Sequence, residues 1–166
     1  SIDEGIILRR HGIRKMILIL GVTHESRFEE LVHYDIRPAM FRYEEVRKLS
    51  DTAVKMGKKA NIHLAVDTGM NRIGMKPDER SADMVYRMSR LGGVCIEGMF
   101  THFAKADELD KTAYTAQYRA YTDFVDMLSA RDVTIPIRHC SNSAGIVESL
   151  ESNGLDMVRA GISIYG

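Results

Sequence analysis

Four short polar stretches hold the residue types that could do chemistry, and each follows an apolar run. Arg72 lies in Asp67-Thr68-Gly69-Met70-Asn71-Arg72-Ile73-Gly74, directly after Ile62-His63-Leu64-Ala65-Val66. His102 follows the run from Val94 to Phe100, and Asn142 and Ser143 follow the run from Ile135 to Cys140. Arg159, Gly161 and Ile162 follow the run from Leu155 to Val158. A guanidinium, an imidazole, a small hydroxyl and a glycine-bearing turn, delivered by four segments, suit an anionic, aromatic ligand with a phosphate. Backbone N–H groups and a hydroxyl at a helix start can hold phosphate. A glycine lets the backbone approach it closely.

Each of these residues also has a purely structural use. Asp67 reads best as the support of its own turn. Asn142-Ser143 can cap a short helix, and Gly161 can supply a left-handed turn. Arg159 can pair with Asp156 or Glu148, and His102 can be a half-buried, satisfied histidine. His11, His24, His33, His63 and His139 have no metal-ligand spacing, so no metal is expected. There is no Gly-x-Gly-x-x-Gly and no phosphate-binding loop of the nucleoside triphosphate type.

The elements that must position these groups alternate along the chain. Ser1-Ile2-Asp3-Glu4 is a capping-box pattern, and Arg9, Arg10, His11 and Gly12 end the helix it starts. Apolar runs without alternation read as strands buried on both faces. They occur at Met16–Leu20, Ile62–Val66, Val94–Phe100, Ile135–Cys140 and Leu155–Val158, with a weaker one from Ile36 to Phe41 around Pro38. Helical stripes fall between them, including Val46, Leu49, Ala53 and Met56, then Met84, Val85, Met88 and Leu91, then Tyr114, Tyr118, Tyr121, Val125 and Leu128. A short helix is expected from Ile146 to Leu150. Strand–helix alternation specifies an α/β fold with a parallel sheet, either a barrel or a doubly wound sheet. About six strands fall short of a full (β/α)₈ barrel of ~250 residues. In either case the polar groups sit at carboxyl ends of strands, along one edge of the sheet, where barrel enzymes place their sites.

The composition is that of an ordinary globular chain: 45% apolar and 28% charged, with 23 basic and 23 acidic residues and no net charge. No basic block points to nucleic acid. No apolar run is long enough for a membrane span, and the first residues lack the pattern of a signal peptide. Cys95 and Cys140 alone make no disulfide framework, which fits a reducing cytosol.

The polar stretches together resemble alanine racemase. The segments are Asp67–Gly74, Gly98-Met99-Phe100-Thr101-His102-Phe103-Ala104-x-Ala106-Asp107, His139-x-x-Asn142-Ser143-Ala144 and Val158-Arg159-x-Gly161-Ile162-x-x-Tyr165-Gly166, in that family's order and approximate spacing. The resemblance covers nearly the whole chain. It implies that residues 1–166 form a single domain, a partial (β/α)₈ TIM barrel lacking its first strand and the family's C-terminal β domain. It also implies a cytoplasmic homodimer that interconverts L- and D-alanine with pyridoxal 5′-phosphate (PLP) and so serves D-alanine biosynthesis for the cell wall. By the same resemblance Arg72 donates to the cofactor's phenolic oxygen, and His102 lies beside the pyridine ring and supports Arg159. Arg159 contacts the pyridine nitrogen, and Asn142, Ser143, Gly161 and Ile162 surround the phosphate.

The departures from the family pattern carry expectations of their own. Racemisation needs a base on each face of Cα. In the family these are a cofactor-bearing lysine on the first strand and a tyrosine from the partner's β domain, and neither motif is among these residues. The 166 residues alone are therefore expected to be inactive. Ala65 stands where some members carry a modified lysine that orients the arginine, so Arg72 needs another partner or none. Another amino-acid racemase of the family, such as a serine racemase, and a non-catalytic barrel-derived binding or scaffold module remain the alternatives.

Overall fold

The order of strands in the sheet is the order of the chain. The computed structural model describes residues Ser1–Gly166 and contains β1 (Leu18–Ile19), β2 (Arg37–Met40), β3 (Ala60–Ala65), β4 (Val94–Phe100) and β5 (Ile137–His139). They lie side by side as β1-β2-β3-β4-β5, and every neighbouring pair is parallel. A doubly wound sheet would reverse its order at a switch point. Here five parallel strands form a curled half-barrel, a partial (β/α)₈ TIM barrel.

Helices fill the crossovers: α1 (Ile2–Arg10), α2 (Phe28–Tyr34), α3 (Tyr43–Lys55), α4 (Glu79–Ser89) and α5 (Thr112–Ser129), with α6 (Ser143–Val147) and α7 (Ile162–Tyr165) after β5. Local chemistry sets their ends. Ser1 and Glu4 form the expected capping box of α1, and Asp78 accepts the Ser81 N–H at the start of α4. Gly12 and Gly57 take the positive φ that follows α1 and α3.

The helices bury their stripes against the outer face of the sheet. Leu49 and Ala53 of α3, Val85 and Met88 of α4, and Tyr121, Phe124 and Leu128 of α5 pack there with Ile62, Leu64 and Met99. The inner face is different. Ala39, Ala65 and Phe100 form a small separate apolar cluster. Beside it lie Arg37, His63, Glu97 and His139, joined to one another by hydrogen bonds.

A bulge in β4 makes that inner layer possible. Ile62 pairs with Ile96, but His63 pairs with Gly98, so Glu97 is the extra residue. A Cβ on Gly98 would stand 2.5 Å from the His63 ring and 2.8 Å from the Ile137 carbonyl oxygen. Only glycine leaves room there for the imidazole.

Several elements differ from the expectation. The run Leu155–Val158 is not a strand. Its backbone-to-backbone bonds to this part of the chain are Asp156 N–H to the Arg138 carbonyl and, just beyond the run, Arg159 N–H to the Ser141 carbonyl. The Asp156 carboxylate, rather than a backbone carbonyl, takes the Arg138 N–H, which interrupts the ladder. The short helix begins at Ser143 rather than Ile146 because Asn142 caps it. The run Met16–Leu20 pairs only through Leu18 and Ile19, opposite Arg37 and Pro38. Pro38 has no N–H to extend that ladder.

Candidate ligand site at the carboxyl ends of the strands

The loop after β3 closes on itself. Asp67 N–H donates to the Met75 carbonyl at 2.8 Å, and Met75 N–H donates to Ala65 at 3.0 Å. The Asp67 carboxylate accepts from Gly69 and Asn71 N–H at 3.1 and 2.9 Å, so it supports the turn as expected. Gly74 has φ 121°, and a Cβ there would meet Asp67 N at 2.6 Å. This closure holds Arg72 at the rim, exposed, beside Val66, Met70, Ile73, Phe100 and His102. No carboxylate pairs with it, so of the two outcomes expected for Arg72, another partner or none, this structure shows no ion-pair partner.

His102, Asn142, Ser143, Arg159, Gly161 and Ile162 line one cavity of about 430 Å³, which also touches Leu20 and Asp107. Six of the seven expected site residues therefore meet there, and the seventh, Arg72, is joined to it through His102. Asn142 works in two directions. Its Oδ1 caps α6, while its Nδ2 donates to the Phe103 carbonyl at 3.2 Å and lies 3.4 Å from His102 Nε2. Burial, then the charges of Arg159 and Arg72, push the His102 imidazole down to about 4. It is neutral at pH 7.

Ser143 Oγ gathers donors. Gly161 N–H reaches it at 2.9 Å, Ser163 N–H at 3.3 Å and the Ser163 hydroxyl at 3.2 Å. Two backbone N–H groups and two hydroxyls thus converge beside the cavity, an arrangement that suits a phosphate oxygen.

Arg159 does not pair with Asp156 or Glu148; those bind Arg138 and Lys111. Its Nη1 donates to His139 Nδ1 at 2.7 Å and to the His139 carbonyl at 3.0 Å. Its Nη2 donates to the Thr101 and Cys140 carbonyls at 2.7 and 3.0 Å. Those four bonds use every terminal N–H of the guanidinium. Nε–H is left buried and without a partner. All the acceptors are neutral, and burial of this cation lowers its pKa to about 10. Arg159 also stacks over Phe100, 5.2 Å from the ring centroid.

The residue that holds Arg159 is thus His139 and not, as expected, His102, which acts on Arg159 only through space. Gln117 is a second residue that the sequence reading passed over. From the buried face of α5 it accepts from Ala104 N–H at 3.0 Å and donates to Thr68 Oγ1 and the His102 carbonyl, both at 3.2 Å. It ties the loops after β3 and β4 together. Its only signal is an amide on a helix stripe otherwise made of Tyr114, Tyr121, Phe124 and Leu128.

Comparison with known proteins places this geometry in a family. A match to the family described as "Alanine racemase, N-terminal domain" runs over residues 1–166. The chain is 43% identical over 165 residues to an alanine racemase of Clostridium tetani, covering 99% of this chain and 42% of that protein. It is 39% identical over 163 residues to one of Methanococcus maripaludis, covering 98% of this chain and 43% of that protein. An alanine racemase structure from Clostridium difficile 630 superposes with a TM-score of 0.95 at 40% identity, over 99% of this chain and 43% of that one. A second structure of that enzyme, in complex with cycloserine, gives 0.94. The chain spans less than half the length of these relatives.

Proposed function

The chain belongs to the alanine racemase N-terminal domain family, and from that premise we propose that residues 1–166 are a single barrel domain that holds PLP for the interconversion of L- and D-alanine. The observation that carries this reading is the buried, unpartnered Nε–H of Arg159, a residue that lines the cavity. A pyridine nitrogen is an acceptor that would satisfy it. The donors gathered at Ser143 fit the phosphate at the other end of the same ligand. The residues present therefore fit the group. The cycloserine bound to the Clostridium difficile relative supports a small amino-acid-like ligand beside it.

The chemistry PLP supplies is an electron sink for a carbanion at the amino acid Cα. The residues of this chain set the conditions for that chemistry. Arg159 would hold the ring nitrogen by donating to it, and a guanidinium that stays cationic would disfavour a proton on that nitrogen. By disfavouring that proton, Arg159 would favour simple return of the proton to Cα over transamination. His102, neutral beside the ring, adds no second cation there. Arg72 at the rim would donate to the phenolic oxygen. Asn142, Ser143, Gly161 and Ile162, which line the cavity, would enclose the phosphate and anchor the ligand. The two bases that remove and return the Cα proton come from outside these residues, and the homodimer of the intact protein supplies one of them. We place that protein in the cytoplasm, consistent with two free thiols and no helix long and apolar enough to cross a membrane. The test is a PLP titration of the full-length protein followed by cofactor absorbance, with tight binding expected in the wild type and weakened binding in Arg159 and Ser143 variants.

A further inference from the structure

A chain of hydrogen bonds runs away from the cavity along the inner face of the half-barrel. His139 Nε2 lies 2.9 Å from His63 Nδ1, and His63 Nε2 lies 3.3 Å from Glu97 Oε2. Arg37 binds both oxygens of Glu97 at 2.8 and 3.1 Å and also pairs with Asp35 at 2.6 Å. His63 and His139 have no exposed surface.

The proton order in this chain follows from its ends. A guanidinium has donors only, so His139 Nδ1 must accept from Arg159. A neutral His139 then carries its proton on Nε2 and donates it to His63 Nδ1. His63 in turn carries its proton on Nε2 and donates to Glu97, a carboxylate that only accepts. Every bond points from Arg159 toward Glu97, and each ring holds one proton. Burial lowers both imidazole pKa values, that of His139 to about 2, which agrees with neutral rings. Reversing either ring would set N–H against N–H at Arg159 or leave His63 without a donor for Glu97.

The arrangement also keeps charges apart. A carboxylate bound directly to Arg159 would neutralise it and could compete for Nε–H. Here the nearest carboxylate in the chain of bonds is two neutral rings away, on the β4 bulge. We infer that Glu97 is a positioning residue for Arg159: through His63 and His139 it fixes the guanidinium by its terminal nitrogens and leaves Nε–H as the donor for a ligand ring nitrogen. This rests on the reading of the cavity as a PLP site. It goes further in assigning a role to a residue that lies off the cavity wall.

The test uses the full-length protein and two readouts. In cofactor-free wild type, long-range ¹⁵N NMR of His63 and His139 should find the proton on Nε2 of both rings; a proton on Nδ1 of either overturns the inference. The second readout is binding of 4′-deoxypyridoxine 5′-phosphate, which keeps ring nitrogen and phosphate but forms no bond to lysine, against its analogue with carbon in place of the ring nitrogen. His63→Gln keeps one acceptor and one donor and should bind both compounds as wild type does. His63→Leu and Glu97→Leu should bind the nitrogen compound about tenfold more weakly, as expected for a displaced hydrogen bond, and the carbon analogue unchanged. Equal losses for both compounds, or none, would make the chain merely structural and overturn the inference while leaving the cofactor reading intact. Wild type that binds neither compound would overturn both.

Discussion

The imidazoles of His63 and His139, from strands on either side of β4, meet 2.9 Å apart in the interior of the half-barrel. That contact crosses the strand between them at Gly98, the one position where a side chain would block it. The fold and the candidate site are coupled there, because His139 is also what holds Arg159.

Gly98→Ala should therefore destabilise the protein by about 1–3 kcal/mol, the usual cost of forcing a methyl into a packed interior. Gly92→Ala is the control, since a Cβ there has open space; it should stay within about 0.5 kcal/mol. Denaturant unfolding of the full-length variants reads both. Equal stability of Gly98→Ala and wild type would contradict the packing described.

Stability should fall on mild acidification. His63, His102 and His139 all have folded-state pKa values below the ordinary 6.5, through burial, with His102 at about 4. Below about pH 6.5 the unfolded chain takes up protons that the folded chain refuses. Each histidine should then remove about 1.4 kcal/mol of stability per pH unit down to its folded pKa. The contribution is complete above pH 7. Unfolding midpoints measured from pH 7.5 to 4.5 check this, and a flat profile would mean the imidazoles are solvated.

Much of this was legible in the residues, for reasons that differ from element to element. β4 has the predicted limits because its apolar run is bounded by Gly92-Gly93 and by the polar Thr101-His102. Arg72, His102, Asn142 and Ser143 stand out by type and by their place after apolar runs, and they share one edge because β3, β4 and β5 are parallel, whereas Arg159, Gly161 and Ile162 reach the same cavity from a run that is not a strand. The His63–Glu97 link was hidden, since a bulge leaves no trace in periodicity and pairs residues far apart in the chain. Leu155–Val158 misled because its composition suits a strand, while the Asp156 side chain takes the ladder bond. Gln117 and His139 were hidden because one buried polar residue on an apolar face looks the same whether it is idle or bridging loops.

Arg159→Lys should fail despite keeping the charge. An ammonium has three donors on one nitrogen and cannot serve His139, Thr101 and Cys140 while offering a fourth to a ligand. The variant should lose about 2 kcal/mol of stability from unsatisfied buried acceptors. It should also bind 4′-deoxypyridoxine 5′-phosphate at least about tenfold more weakly. Isothermal calorimetry gives the affinity, and wild-type affinity in the lysine variant would remove Arg159 from the site.

Ser143→Ala separates the phosphate end from the ring end. Loss of the hydroxyl that Gly161 and Ser163 donate to should cost about tenfold in affinity for PLP. Affinity for pyridoxal, which has no phosphate, should not change. Parallel absorbance titrations of the two compounds decide it, and equal losses for both would mean a general collapse of the loop.

Incubating the full-length protein with PLP and L-alanine, and resolving the product by chiral chromatography, decides between a racemase and a binding module. Alanine should approach an equal mixture of L and D forms, omission of PLP should abolish the change, and Arg159→Lys should slow it strongly. A protein that binds PLP yet leaves L-alanine unchanged would contradict the assignment.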